Sequence, residues 1–230
     1  MIIMLLIDYR DIIISAMRSN IQLSIADFLI AVTSARSATI ILPVTIIVFF
    51  FIVKNDFNIF FVLQEKNRKK LWFKQIYKIV LFSVFITIYV SICTYFIGAL
   101  YSTSYINWNK PNSIFNFENK GLLLKVSFLK VIIYFFLVYS IKMIVMSSLA
   151  LLIYWITDKK IISLVIIMAI NIFERHAIFL KIFNRVISID YKLWANKQKI
   201  ILGILYGILL IFIITLIGKH ISKGKEFLNE

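Results

Sequence analysis

IVLFSVFITIYVSICTYFIGALY, residues 79–101, contains no charged side chain, and the uncharged run continues to Asn109, 31 residues in all. An α-helix rises about 1.5 Å per residue, so about 20 apolar residues cross the hydrocarbon core of a bilayer. This stretch exceeds that length with room to spare, and it sets the reading of the rest of the chain. The same test, applied outward, finds SATIILPVTIIVFFFIV at 37–53 and IILGILYGILLIFIITLIG at 200–218, both free of charge. A further run, FLKVIIYFFLVYSIKMIVMSSLALLIYW at 128–155, is long enough but carries Lys142 near its middle.

Composition agrees. The 230 residues are 61% hydrophobic and 16% charged, with a mean hydropathy of +0.92. Soluble domains run nearer half apolar and a quarter charged. The net charge of +15 would suggest nucleic acid as a partner for a soluble protein. Here the basic residues flank apolar runs, so the expected partner is the lipid bilayer and no nucleic acid. Cys93 stands alone, which excludes an intrachain disulfide.

The expected fold is an all-α, polytopic transmembrane helical bundle in the cell membrane, with five spans: 37–53, 79–101, 131–153, 161–187 and 200–218. The fourth is broken or re-entrant, because Glu174, Arg175 and His176 interrupt its apolar run, and such a break is tolerated where protein or water covers the freed backbone. Residues 1–36 are expected to be the tail of a first helix, MIIMLLI, followed by an external segment. Residues 54–78 are expected to be a cytoplasmic loop, since Lys and Arg are denser there than in the segments assigned to the other side. Rings at the span ends (Trp72, Tyr77, Tyr101, Tyr105, Trp108, Tyr154, Trp155, Tyr191 and Trp194) fit a headgroup-level belt.

Chemistry is hard to find. The sequence contains no G-x-x-x-x-G-K-[ST] loop and no H-E-x-x-H, and its two histidines, His176 and His220, are far apart. No acidic pair sits within a span. An enzyme with its own nucleotide site is not expected, and neither is a cofactor or a metal. Three features remain. Lys142 at mid-span is costly, which suggests a substrate path or a buried ion pair, unless its stem snorkels to an interface. The small residues Ser147, Ser148 and Ala150 on the same run could admit a neighbouring helix closely. Pro43 removes a backbone donor inside the first span.

The densest charge lies in VLQEKNRKKLWFKQIYK, residues 62–78. Glu65 is followed by Arg68, Lys69 and Lys70, then by Trp72-x-Lys74 at the mouth of the longest span. With Leu42-Pro43 in the preceding span, this order resembles the small type 2 class of ABC exporter permeases that accompany peptide-antibiotic and bacteriocin genes in Gram-positive bacteria. The resemblance implies a six-helix permease with both ends cytoplasmic, paired with a second permease copy or homologue. It also implies a separate ATP-binding subunit docking on Glu65, Arg68, Lys69, Lys70, Trp72 and Lys74. Glu174–His176 would then lie in the broken segment between the last two helices, and Lys142 has no counterpart in the pattern. The competing expectation is a stand-alone membrane immunity or interaction protein that uses no pump.

Overall fold

The computed structural model describes residues 2–57, 68–176, 182–183, 187–194 and 197–224. These residues form helices and no strands: α1 Ile2–Arg18, α2 Ile25–Thr33, α3 Ala35–Val53, α4 Arg68–Tyr101, α5 Ile114–Glu118, α6 Phe128–Thr157, α7 Lys160–His176, the single turn α8 Tyr191–Trp194, and α9 Lys197–Gly224. Three of them, α4, α6 and most of α9, are long and apolar enough to cross a membrane. The sequence expectation was five. Residues 37–53 fall within α3, where the shorter apolar helix Ile41–Val53 lies, and α7 is only 17 residues long.

Burial orders the three long helices. The apolar window of α6 is 78% buried, that of α4 39% and that of α9 22%. The centre of the bundle is therefore α6, which touches α2, α3, α4, α7 and α9. On α9 the exposed face carries Leu202, Leu205, Leu209, Phe212 and Leu216. A continuous apolar surface of that kind belongs in lipid, because water would exact the full hydrophobic cost for every exposed side chain.

Local sequence sets the helix ends. Asn20 adopts a left-handed conformation after α1, and the Ile21 N–H donates to Ala16 O at 3.0 Å, closing a Schellman-type turn. At the end of α6 Asp158 is left-handed (φ 57°), and its N–H donates to Tyr154 O at 2.9 Å. Asp tolerates that conformation, and α7 starts two residues later, so α6 and α7 form a tight hairpin. Ser163 Oγ of α7 donates to Ala150 O of α6. This is the close helix approach that the small residues near Ala150 predict.

Three sequence expectations change here. Where the expectation had a seven-residue helix tail, α1 runs from Ile2 to Arg18 and α2 from Ile25 to Thr33, and every residue of α2 is buried. The loop 54–78 shortens, because α4 already begins at Arg68, while residues 58–67, Glu65 among them, lie outside the described residues. Glu174, Arg175 and His176 are not a turn but the last residues of α7. The sequence between Lys160 and His176 has no Pro or Gly to stop a helix, so three polar residues alone do not break it.

The tryptophans correct the belt reading. Trp72, Trp108, Trp155 and Trp194 are all buried, at 0–1% exposure. Tyr77, Tyr101 and Tyr105 remain exposed, as interfacial rings should be.

Candidate functional site

The α2 helix is nine residues long and breaks from α3 at Ser34, whose backbone is extended (φ −63°, ψ 159°). An isolated helix of this length is marginal even in water. Its ends expose backbone donors and acceptors that need partners. The donors at its start are met from the 101–119 segment and from its own first turn. The Ile25 N–H donates to Ser104 O (3.1 Å), the Ala26 N–H to Tyr105 O (3.0 Å) and the Asp27 N–H to Ser24 O (3.0 Å).

Asp27 concentrates the polar contacts at that end. It is fully buried. Its Oδ2 accepts from the Ser24 N–H and the Ser24 hydroxyl, both at 2.7 Å. Its Oδ1 accepts from Trp108 Nε1 at 2.8 Å and from the Tyr191 hydroxyl at 3.1 Å. Burial first, and the adjoining Asp27 second, hold the Tyr191 hydroxyl well above the ordinary tyrosine range, so it remains a donor. Around this carboxylate, Trp108 stacks on Phe115 and meets Tyr191 and Trp194 edge-on. Side chains from α2, the 101–119 segment and α8 thereby share one acceptor.

Lys142 serves the other end. Its exposure is 2%, and Nζ donates to Thr33 O at 2.9 Å and reaches Ser34 O at 3.5 Å. These carbonyls are freed where α2 stops. The Thr33 hydroxyl has Ile30 O at 2.8 Å and Ile189 O at 2.9 Å in reach, and it accepts from the Ile189 N–H at 3.2 Å. A helix carries partial positive charge at its start and partial negative charge at its end. Asp27 and Lys142 oppose both, so a short buried helix holds a carboxylate in its first turn and an ammonium at its last carbonyls.

Lys142 does not take the alternative of snorkelling, since its amine stays inside on backbone carbonyls. Glu174 is buried as well, at 1% exposure. Glu174 also accepts from the Ile182 N–H at 2.9 Å and from the Phe183 N–H, tying the segment after α7 back to the bundle. His176 is exposed, and the side chain of Arg175 lies outside the described residues.

Removing the Lys142 ammonium is expected to destabilise the fold. A Lys142→Met variant keeps the stem but takes its donor from the buried Thr33 carbonyl, at about 1–3 kcal/mol for an unsatisfied group. Release of a buried charge works in the opposite direction. Thermal unfolding in detergent decides between them: a Tm several degrees lower means capping dominates, and a Tm unchanged or higher means the charge was a net cost.

The residues expected to dock a partner separate into two sets. Lys70 and Lys74 are exposed and Arg68 and Lys69 half-buried, all on the first turns of α4, with Phe73 and Tyr77 exposed beside them. Trp72 has no surface to offer. Its Nε1 donates to Thr215 O of α9 at 3.1 Å, and its ring meets Trp155 of α6 edge-on at 5.9 Å. Trp155 in turn donates to Gln75 Oε1 at 2.8 Å.

Sequence reasoning missed Asp27 and the glycines of α9. Gly203, Gly207 and Gly218 are all buried. A Cβ on Gly207 would come within 2.3 Å of Ile141, and one on Gly218 within 2.0 Å of Trp72. The Gly203-x-x-x-Gly207 spacing was a usable signal for close helix packing. Asp27 carried a local signal, the Ser24-x-x-Asp27 spacing of a capping box at the start of α2, but its other two partners are 81 and 164 residues away in the chain. No known protein family matches the sequence, and no curated protein or solved structure matches it either.

Proposed function

We propose that the chain is a multi-pass cell-membrane protein, the permease subunit of an ABC-type exporter for a peptide or amphiphile, driven by ATP hydrolysed on a separate subunit. In this reading α2 and α3 are the two halves of one discontinuous span, joined at Ser34. Its support is that α2 starts against Ser104 and Tyr105, while the turn after α3 reaches α4 through the Asp56–Lys78 ion pair at 2.6 Å. With α1 and α7 as further crossings beside α4, α6 and α9, the bundle has six, and the Lys78 end faces the cytoplasm.

The observation that carries the proposal is the basic start of α4. This helix has 34 residues, about 51 Å, against a hydrocarbon core of about 30 Å. Its surplus is the segment from Arg68 to Lys78, basic on its surface and locked beneath through Trp72 to α6 and α9. A partner pressing on Lys70, Phe73 and Lys74 therefore acts on a rigid lever. An ATP-binding subunit shifts the bundle between two states only by contacting this lever differently in each.

Co-purification from native membranes tests this. The wild type is expected to bring down a nucleotide-binding subunit, identified by mass spectrometry and by crosslinking to a photoreactive ATP. A Lys70→Glu, Lys74→Glu variant is expected to lose it while keeping the wild-type Tm, because both side chains are exposed. No nucleotide-binding subunit with either protein would overturn the pump reading and leave a stand-alone membrane protein.

A further inference from the structure

At the Lys78 end of the bundle α3 and α7 part to leave a cleft of about 250 Å³. Ile47 and Phe51 of α3 and Ile161 and Leu164 of α7 line it, and Lys54 and Lys160 lie at its margin. Phe51 and Ile161 are 71% and 76% exposed, so the cleft opens outward through apolar walls.

The lysines are placed where the apolar parts of these helices end. Lys54 opens the 3-10 turn that follows α3, and Lys160 is the first residue of α7. Lys160 sits over the Tyr154 ring at 5.8 Å, and the charge of Lys54 reaches it. Among the described residues neither lysine forms an ion pair. Asp56, two residues past Lys54, is already bonded twice by Lys78, at 2.6 and 2.8 Å. Two cations within electrostatic reach of each other, at the edge of an open apolar cleft, match a ligand with one anionic group and a hydrocarbon tail.

We propose that this cleft is a binding site for an anionic phospholipid, with the phosphodiester between Lys54 and Lys160 and an acyl chain along Phe51, Ile161 and Leu164. The lipid would bridge α3 and α7 where the protein leaves them apart. A free phosphate uses the lysines but not the apolar walls, whereas a lipid uses both. The proposal rests on the bilayer reading and not on the identity of any partner subunit.

Native mass spectrometry of the detergent-solubilised protein, titrated with phosphatidylglycerol or phosphatidylcholine, tests it. Each lysine near a lipid headgroup is worth roughly a fivefold gain for an anionic lipid, so the preference for phosphatidylglycerol is expected to be roughly 25-fold. The preference should vanish in Lys54→Gln, Lys160→Gln, persist in Lys54→Arg, Lys160→Arg, and be unaffected by Lys120→Gln, Lys125→Gln. Equal binding of the two lipids by the wild type would overturn the proposal, as would a preference that survives the Gln pair. Competition by glycerol phosphate at lipid-like concentrations would also overturn it, in favour of a phosphate site. Vesicle flotation separates the two levels: a protein that floats yet shows no lipid preference loses only this site, and one that fails to float loses the bilayer reading as well.

Discussion

Asp27→Ala is expected to cost about 3–4 kcal/mol, a large part of the total for a protein whose stability lies in the usual range of about 5–15 kcal/mol. The carboxylate accepts from Ser24 N, Ser24 Oγ, Trp108 Nε1 and the Tyr191 hydroxyl. Alanine leaves these donors facing a cavity, and each buried donor without an acceptor costs about 1–3 kcal/mol. The hydroxyls of Ser24 and Tyr191 can rotate to other acceptors, which keeps the sum below the simple total. The indole N–H and the backbone N–H cannot. Asp27→Asn should fall between wild type and Ala, because one oxygen still accepts while the new amide presents its hydrogens to a donor. The measurement is thermal unfolding in detergent, read with hydrogen exchange across residues 101–119 and 187–194. Loss of protection confined to those segments and α2 would place the damage at the shared acceptor. An Ala variant as stable as wild type would mean that the cluster contributes no net stability.

How far the sequence disclosed this arrangement depends on what each part needs. The runs 79–109, 128–155 and 200–218 were legible because a bilayer imposes length and composition locally, residue by residue. The α2 helix was not. Nine residues are too few for a span, and an acid at the third position argues against burial unless its partners are known. Those partners, Trp108 and Tyr191, read equally well as interfacial rings. Lys142 was visible as an anomaly, and its cost was predictable. Its use was hidden, because the carbonyls it caps exist only once the chain breaks at Ser34. The same holds for Trp72: beside four basic residues its sequence position suggests a docking surface, and only the packing of α9 turns it inward.

That packing leads to the other large effect. Gly218→Val is expected to push α9 away from α4, at a cost of about 3 kcal/mol. An added Cβ would lie 2.0 Å from Cζ2 and 2.2 Å from Cε2 of the Trp72 ring. A flexible side chain would swing aside, but this indole is held by its bond to Thr215 O and by Trp155, which is itself bonded to Gln75. The clash is thus relieved only by moving a helix. Trp72→Leu alone should also destabilise, by about 3 kcal/mol, through the cavity it leaves. Combined, the two changes should be less harmful than their sum, because leucine vacates the volume that valine needs; a coupling above about 1 kcal/mol is expected. Strict additivity in thermal melts would mean that the Gly218–Trp72 contact is not what joins α9 to α4. The pair also separates structure from coupling. If the chain is the permease proposed above and α4 its lever, the double variant should still bind an ATP-binding subunit through Lys70 and Lys74, whose side chains are untouched. On that reading ATP-driven transport should fall nonetheless, since the ring that links α4 to α6 and α9 has gone. Transport at the wild-type rate in a double variant of restored stability would show that Trp72 packs the bundle without transmitting anything through it.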